Sequence, residues 1–237
     1  MTEICTCVVG ILVGNNSKHK VWVSGVPLKS ASMVSLAELL SLPKPPRKER
    51  LKLAVKLASS VLQLHTTQWL QEGWGKQDIY FVQGDSSQTG SPSLEIPVVC
   101  QAFSSDSSVP AASIETRFIH HNRNPSLFSL GIVLIELLFW KSVESLQAEE
   151  LGSDKASEYI APGLIDKVYR DACDNYGDSV RRCINGLDHK EIKLENDGFK
   201  NEVYLKVLQP LEKDLEHFYH EPLEKIFEKR DPRTEIF

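Results

Sequence analysis

The sequence is poor in cysteine and has no set of closely spaced cysteine pairs. Its 237 residues contain five cysteines, an odd number, at positions 5, 7, 100, 173 and 183. Small secreted domains carry dense disulfide frameworks, so this scattered pattern instead favours reduced thiols in the cytosol. Cys5 and Cys7 with His19 could form one corner of a metal site. No second ligand pair follows at a useful spacing, so we expect no metal.

A strong excess of charge of one sign is also lacking. There are 27 basic and 32 acidic residues, which gives a formal net charge of −5. The cationic segment 44–50 is short and rich in proline, as in a solvated linker, so we expect no nucleic-acid partner. The first residues show no basic region followed by a long apolar segment, so we expect no signal peptide. These features favour a cytoplasmic protein without a membrane segment.

The longest apolar segment spans residues 126–140 and contains one carboxylate, Glu136. It is shorter than the ~20 residues that a membrane-spanning helix needs. Its apolar side chains point to all sides of a helix, which predicts a helix buried on every side in a sizeable core. We expect residues 127–139 to form this central helix. Glu136 must then be paired, hydrogen-bonded or protonated, and we expect it to be structural.

Periodicity predicts an α+β protein that is mostly helical. A turn signal at residues 14–16 separates two β-rich segments, which predicts a hairpin. Apolar residues recur at helical spacing in residues 49–64, which predicts a long amphipathic helix. The predicted strands are Cys7–Val13 and residues 20–23, 78–82 and 94–99. The other predicted helices are residues 36–40, 162–175, 179–185 and 203–219, the last broken or kinked at Pro210.

The order of these motifs resembles the helical C-lobe of protein kinases. Residues 128–137 read aromatic-Ser-Leu-Gly, four apolar residues, Glu-Leu, like the central buried kinase helix. Residues 35–40 resemble the short helix after the kinase hinge. Residues 49–65 resemble the long helix that precedes the catalytic loop. The resemblance therefore implies a kinase C-lobe-like fold, with a reduced N-terminal hairpin in place of a full N-lobe.

The residues that catalysis requires in that family are missing. Ser126 stands where active kinases have Asp, no His-Arg-Asp triplet follows residue 65, and residues 98–103 contain no Asp-Phe-Gly. A glycine-rich loop and a Val-Ala-x-Lys strand are also absent. Lys76 resembles the loop lysine and Asp78 lies near the metal-binding position; they are weak candidates for binding a nucleotide. We therefore assign no catalytic residue, cofactor or small-molecule substrate.

Three segments, residues 65–70, 78–81 and 124–137, are similar to a fungal kinase-like domain family of unknown function. In fungi such domains often stand beside the HET-s/LopB prion-inhibition domain in incompatibility or innate-immunity-like proteins. The resemblance implies an inactive pseudokinase that acts by protein interaction, with a protein partner. The alternatives are an unorthodox protein kinase or nucleotide-binding protein, or a truncated fragment of a larger kinase-like protein.

The expected domain organisation has three parts. Residues 1–33 would form the N-terminal hairpin and a hinge-like segment, as a remnant of an N-lobe. Residues 34–220 would form the C-lobe-like helical domain. Residues 221–237 would form a charged tail.

Overall fold

Among the residues that it describes, the computed structural model has two small antiparallel sheets and is mostly helical, which confirms the predicted α+β class. It describes residues 7–13, 18–23, 33–65, 67, 70, 73–82, 94–99, 123–151, 162–189 and 192–219; the first two ranges and residues 82, 150, 151 and 162 are described as backbone only. The strands are β1 (Cys7–Val13), β2 (Lys18–Val23), β3 (Met33–Ser35), β4 (Ile79–Val82) and β5 (Pro97–Val99). The helices are α1 (Leu36–Leu39), α2 (Arg47–Leu64), α3 (Pro125–Phe139), α4 (Val143–Leu151), α5 (Pro162–Asp171), α6 (Asp174–Asn185), α7 (Asp197–Val203) and α8 (Gln209–Glu216).

The predicted N-terminal hairpin is confirmed by the pairing of β1 with β2. The two strands are antiparallel, with Val13 opposite Lys18 and a register shift between Val8 and Gly10. The predicted turn at residues 14–16 lies outside the described residues. The second strand begins two residues earlier than the apolar pattern predicts, because pairing with β1 continues to the end of that strand.

The second sheet has the order β3-β4-β5, and both pairs are antiparallel. The strand predicted for residues 94–99 is wrong in its first half, since residues 94–96 form a turn and a bend. The carbonyl of Glu95 accepts a hydrogen bond from Lys56 of α2 rather than from a strand. β3 is too short to show an alternating pattern and was not predicted.

Local sequence explains where two of the helices begin. Ser35 caps α1 through a capping box: its hydroxyl accepts from the N–H of Glu38, and the Glu38 carboxylate accepts from the N–H of Ser35. Asn124 caps α3 by accepting from the N–H of Leu127, and Pro125 occupies the first helical position. These capping residues stand next to the first residue of each helix. The sequence therefore predicts both helix starts to within two residues.

Helix α3 forms the centre of the core, as its apolar sequence predicts. It packs against α2, α4, α5 and α6, and residues such as Val133, Leu134 and Ile135 are fully buried. At Gly131 the helix comes so close to α6 that an added Cβ would lie 2.6 Å from Cδ1 of Ile184. The glycine is therefore required by packing between the two helices.

The C-terminal helices differ from the predicted ones in their bounds. The helix predicted for residues 162–175 ends at Asp171, and α6 begins at Asp174 rather than at Ser179. Asp214 of α8 explains the new start, because its carboxylate accepts from the Asn175 side chain at 2.8 Å and from the Tyr176 backbone N–H. This cap is distant in sequence and leaves no local signal. Helix α4 was not predicted.

Of the predicted break or kink at Pro210, the break is wrong, since the chain stays helical from Asp197 to Glu216. A π-helical segment, Tyr204–Leu208, joins α7 to α8 just before the proline. Proline has no N–H, so the carbonyl four residues earlier, that of Lys206, loses its usual partner. Arg182 of α6 donates to this carbonyl at 3.0 Å, and the Ser179 hydroxyl donates to that of Val207 at 2.9 Å. Side chains of α6 thus stabilise the irregular turn.

Among the described residues, no single helix is long and apolar enough to cross a membrane. Helix α3 and residues Val143–Glu149 would be long and apolar enough if taken together, but they are bent by 68° relative to each other.

Candidate functional site

The strongest cluster of charged groups in the described part of the chain surrounds Lys76. This residue precedes β4 and is 8 % exposed. Its backbone carbonyl accepts from the N–H of Ala37, which ties the segment to α1 at 3.1 Å. Its ammonium group lies 2.6 Å from Oε1 of Glu136 on α3 and 2.9 Å from each carboxylate oxygen of Glu144 on α4. One buried cation thus joins two helices to the loop before β4.

Glu136 is fully buried, and the structure confirms that it is a paired carboxylate. Oε1 accepts from Lys76 and, at 3.0 Å, from the backbone N–H of Val143 at the start of α4. Oε2 has no hydrogen-bond partner in the part of the chain that the structure describes. Burial raises the pKa of Glu136 above its usual value, and the positive charge of Lys76 offsets this only in part. The ion pair therefore compensates a carboxylate that the core would otherwise exclude.

Lys76 and Glu144 are favoured in their charged forms. Burial lowers the pKa of Lys76, but the carboxylates of Glu136 and Glu144 outweigh this and raise it above its usual value. Burial raises the pKa of Glu144, yet hydrogen bonds from Lys76, from its own backbone N–H and from Ser142 outweigh it and lower the pKa. The cluster is an ammonium group between two carboxylates.

Asp78, the second weak candidate, has a different role in the structure. One of its carboxylate oxygens accepts from the N–H of Gly75 at 2.9 Å, and its own N–H donates to the carbonyl of Gly75. Asp78 thus closes the tight turn that carries Lys76 into the core and directly precedes β4. The structure brings the two candidates into one turn but gives their side chains different partners.

The histidine and tryptophan near this segment are structural. His65 ends α2, and its Nδ1 lies 2.9 Å from the carbonyl of Leu62, as a capping histidine would. Trp74 is buried in the core, and its indole N–H has no hydrogen-bond partner among the described residues. Trp69 and the pair His120 and His121 lie outside the described residues, as do the side chains of Cys5, Cys7 and His19.

A second polar cluster lies at the C-terminal end of α3, and sequence reasoning missed it. Arg50 of α2 is buried and donates to the backbone carbonyls of Pro45, Leu137 and Leu138. These last two carbonyls have no partners within α3, so Arg50 acts as a C-terminal cap. An Arg in a basic segment gave no sign of this role, because the helix that it caps lies 87 residues away.

A small cleft of about 20 Å³ opens beside Arg50 and has room for about one water molecule. Arg47 and Cys173 lie at its edge, with 3.2 Å between the guanidinium and the thiol sulfur. Within the described ranges, no group of three or more His, Cys, Asp or Glu side chains is arranged to hold a metal ion. The Lys76 cluster is therefore the most developed polar site in this part of the chain.

Comparison with known proteins identifies one family. A family model described as a domain of unknown function, DUF7580, matches residues 15–218. No curated protein and no solved structure matches the chain. The match covers most of the chain, including α1–α8, the Lys76 turn and both glutamates that pair with it. The chain therefore belongs to the DUF7580 family.

Proposed function

We propose that the chain is a catalytically inactive, kinase-like module that acts by binding another protein. The order of its elements supports this: α1, α2, the hairpin of β4 and β5, and α3 follow one another as the resemblance to a kinase C-lobe implies. The fungal resemblance adds incompatibility or innate-immunity-like signalling and a protein partner, and the scattered cysteines favour a cytoplasmic setting. The proposal includes the expected domain boundaries, which lie between residues 33 and 34 and between residues 220 and 221.

The environment of Lys76 is the observation that carries the proposal. Phosphoryl transfer depends on cations that hold the phosphates and on carboxylates that hold Mg²⁺. The Lys76 ammonium group has three N–H groups, and they face three oxygens of Glu136 and Glu144. A phosphate would approach a cluster that already contains two carboxylates for one cation. The lysine is therefore unsuited to bind a nucleotide in this arrangement.

Asp78 supports the same conclusion. A Mg²⁺–nucleotide complex needs carboxylates that are free to coordinate the ion. The Asp78 carboxylate accepts from the Gly75 N–H and so stabilises the turn itself. Coordination of Mg²⁺ would compete with this hydrogen bond. We infer that neither weak candidate contributes to a nucleotide site.

Isothermal titration and thermal unfolding with Mg-ATP test the proposal that the chain is catalytically inactive and binds no nucleotide. We expect no saturable heat and no shift in Tm with the full chain up to millimolar Mg-ATP. Asp78→Ala serves as the comparison, provided that it unfolds cooperatively. Micromolar binding that is lost in Asp78→Ala would instead support the nucleotide-binding alternative.

The proposal that the chain acts by binding another protein needs a separate measurement. A recombinant HET-s/LopB-type domain is the partner that the resemblance implies, and it would be titrated against the full chain. Saturable binding to the chain, lost on heat denaturation, is the expected result. Failure of several such domains to bind would contradict this partner, while the result with Mg-ATP would stand independently.

A further inference from the structure

Arg50 is a buried cation that has no carboxylate partner among the described residues. It is 8 % exposed, and burial lowers the pKa of its guanidinium below the usual value. The ionisable groups that act on this pKa are Tyr176 and Arg47, and no described carboxylate is among them. Buried charges in proteins are normally paired with an opposite charge. A buried guanidinium without such a pair therefore indicates a place for an anion.

The hydrogen bonds of Arg50 leave one nitrogen of the guanidinium available. Nε donates to the carbonyl of Pro45 at 3.1 Å. Nη1 donates to the carbonyls of Leu137, at 2.7 Å, and Leu138 at the C-terminal end of α3. Nη2 has no hydrogen-bond partner in the part of the chain that the structure describes. A guanidinium has five N–H donors, so the two on Nη2 remain for a ligand.

The charged groups around the cleft beside Arg50 do not balance. Arg50 and Arg47 both line it. Asp214 is the carboxylate in its described lining, and one oxygen of that carboxylate accepts from the Asn175 side chain at 2.8 Å. The end of α3 adds roughly half a negative charge, and the start of α6 offsets it with a similar positive amount. One positive charge is left over, which a single monovalent anion would neutralise.

The size and the walls of the cleft limit the kind of anion. Its volume of about 20 Å³ suits about one water molecule, and a chloride ion or one oxygen of a carboxylate is close to this size. A tetrahedral sulfate or phosphate is too large to enter. Leu51 and Phe218 line the cleft as well, and apolar walls strengthen the attraction between an anion and a cation. Cys173 at the edge is exposed, so the cleft opens to solvent.

We propose that this cleft binds one small monovalent anion, chloride or the carboxylate of a small acid, through Nη2 of Arg50 and the positive charge of Arg47. The anion neutralises Arg50 while the other two nitrogens continue to cap α3 and to hold the start of α2. Its binding therefore stabilises the contact between α2 and α3. The site does not depend on the kinase-like proposal.

Side-chain NMR of the full chain tests the site. The Nε–H signal of Arg50 is followed as sodium chloride or sodium acetate is added, with sodium sulfate at the same ionic strength as the reference. At least one of the two monovalent anions should shift this signal saturably, and the salt that does so identifies the ligand. Sulfate should leave the signal in place, because it does not fit the cleft. An equal response to sulfate, or no saturable response to either monovalent anion, would overturn the proposal.

Arg47→Gln and Arg181→Gln are a matched pair of variants for the same titration. Both replace an exposed arginine at the start or in the body of a helix, but Arg181 faces Asp178 at 3.6 Å and does not line the cleft. Arg47→Gln should raise the Kd of the anion about tenfold, because one of the two cations of the cleft is lost. Arg181→Gln should leave the Kd unchanged. An equal Kd in the two variants would show that the anion binds elsewhere.

Discussion

At the residue scale, Lys76 and Glu136 form a buried pair whose two members contribute differently to stability. Removing Lys76 should lower the free energy of unfolding more than removing the charge of Glu136. The carboxylate is fully enclosed and depends on Lys76 and the Val143 N–H, whereas Lys76 also has Glu144. Losing the cation therefore leaves a buried charge without compensation. Losing the anionic charge of Glu136 leaves a lysine that is still paired.

Lys76→Met should destabilise the protein more than Glu136→Gln. We expect a loss of about 3–5 kcal/mol in the free energy of unfolding for Lys76→Met, as for a buried pair that loses one partner. For Glu136→Gln we expect about 1–3 kcal/mol, because the amide oxygen still accepts from Val143. Urea unfolding at pH 7 measures both. An equal or smaller loss in Lys76→Met would show that Glu136 is not held as a charge.

The stability of the Lys76→Met variant should depend on pH in a predictable way. The pKa of Glu136 is raised above 4.5 by burial, and removal of Lys76 raises it further. A folded carboxyl group with a raised pKa binds more protons than the unfolded chain, so stability falls as pH rises through this range. The deficit of Lys76→Met relative to the unsubstituted chain should therefore shrink as pH is lowered towards 4.5. A deficit that does not change with pH would contradict this assignment.

At the element scale, the contact between α3 and α6 is set by a single glycine. An added Cβ at Gly131 would lie 2.6 Å from Cδ1 of Ile184 and 2.9 Å from Cβ of Cys183. Real Cβ atoms do not approach other atoms so closely, so one helix would have to shift. The gain in helix propensity from glycine to alanine, up to about 1 kcal/mol, is smaller than this penalty.

Gly131→Ala should lower the free energy of unfolding by about 1–3 kcal/mol, as overpacking does in a close-packed core. Ile184→Val removes the Cδ1 atom that makes the shortest contact. The double variant should therefore lose less than the sum of the two single variants, as chemical denaturation would show. Strict additivity would mean that the two helices are farther apart than this contact indicates.

The π-helical segment predicts a coupling between Arg182 and Pro210. Arg182→Ala removes the donor to the Lys206 carbonyl and should cost about 0.5–1.5 kcal/mol. Pro210→Ala restores an N–H that can serve this carbonyl. The cost of Arg182→Ala should then be smaller in the Pro210→Ala background. A double-mutant cycle measures the difference, and a coupling energy of zero would contradict the role of Arg182.

At the scale of the whole molecule, α3 holds the other helices together. Leu134 is fully buried, and the carbonyl of the same residue accepts from the hydroxyl of Tyr176 on α6 at 2.7 Å. A charge at this position would have no partner in the core. The folded state as a whole, rather than one element, depends on this position.

Leu134→Asp should abolish soluble, cooperatively folded protein, because an unpaired buried carboxylate costs several kcal/mol. Leu205→Asp is the matched control, since Leu205 is 46 % exposed on the π-helical segment. It should change stability by no more than about 0.5 kcal/mol. Circular dichroism with thermal unfolding distinguishes the two. A cooperatively unfolding Leu134→Asp variant would show that α3 is not central.

The sequence by itself determined the α+β class, the hairpin, the long helix α2, the burial of α3 and the need of Glu136 for a partner. These follow from periodicity, from local caps and from the cost of burying a lone charge, which act within a few residues. The tertiary structure decided what depends on distant atoms. Lys76 and Glu136 are 60 residues apart, and Asp214 caps a helix 39 residues earlier. Such contacts follow from how helices pack, so neighbouring residues carry no signal of them.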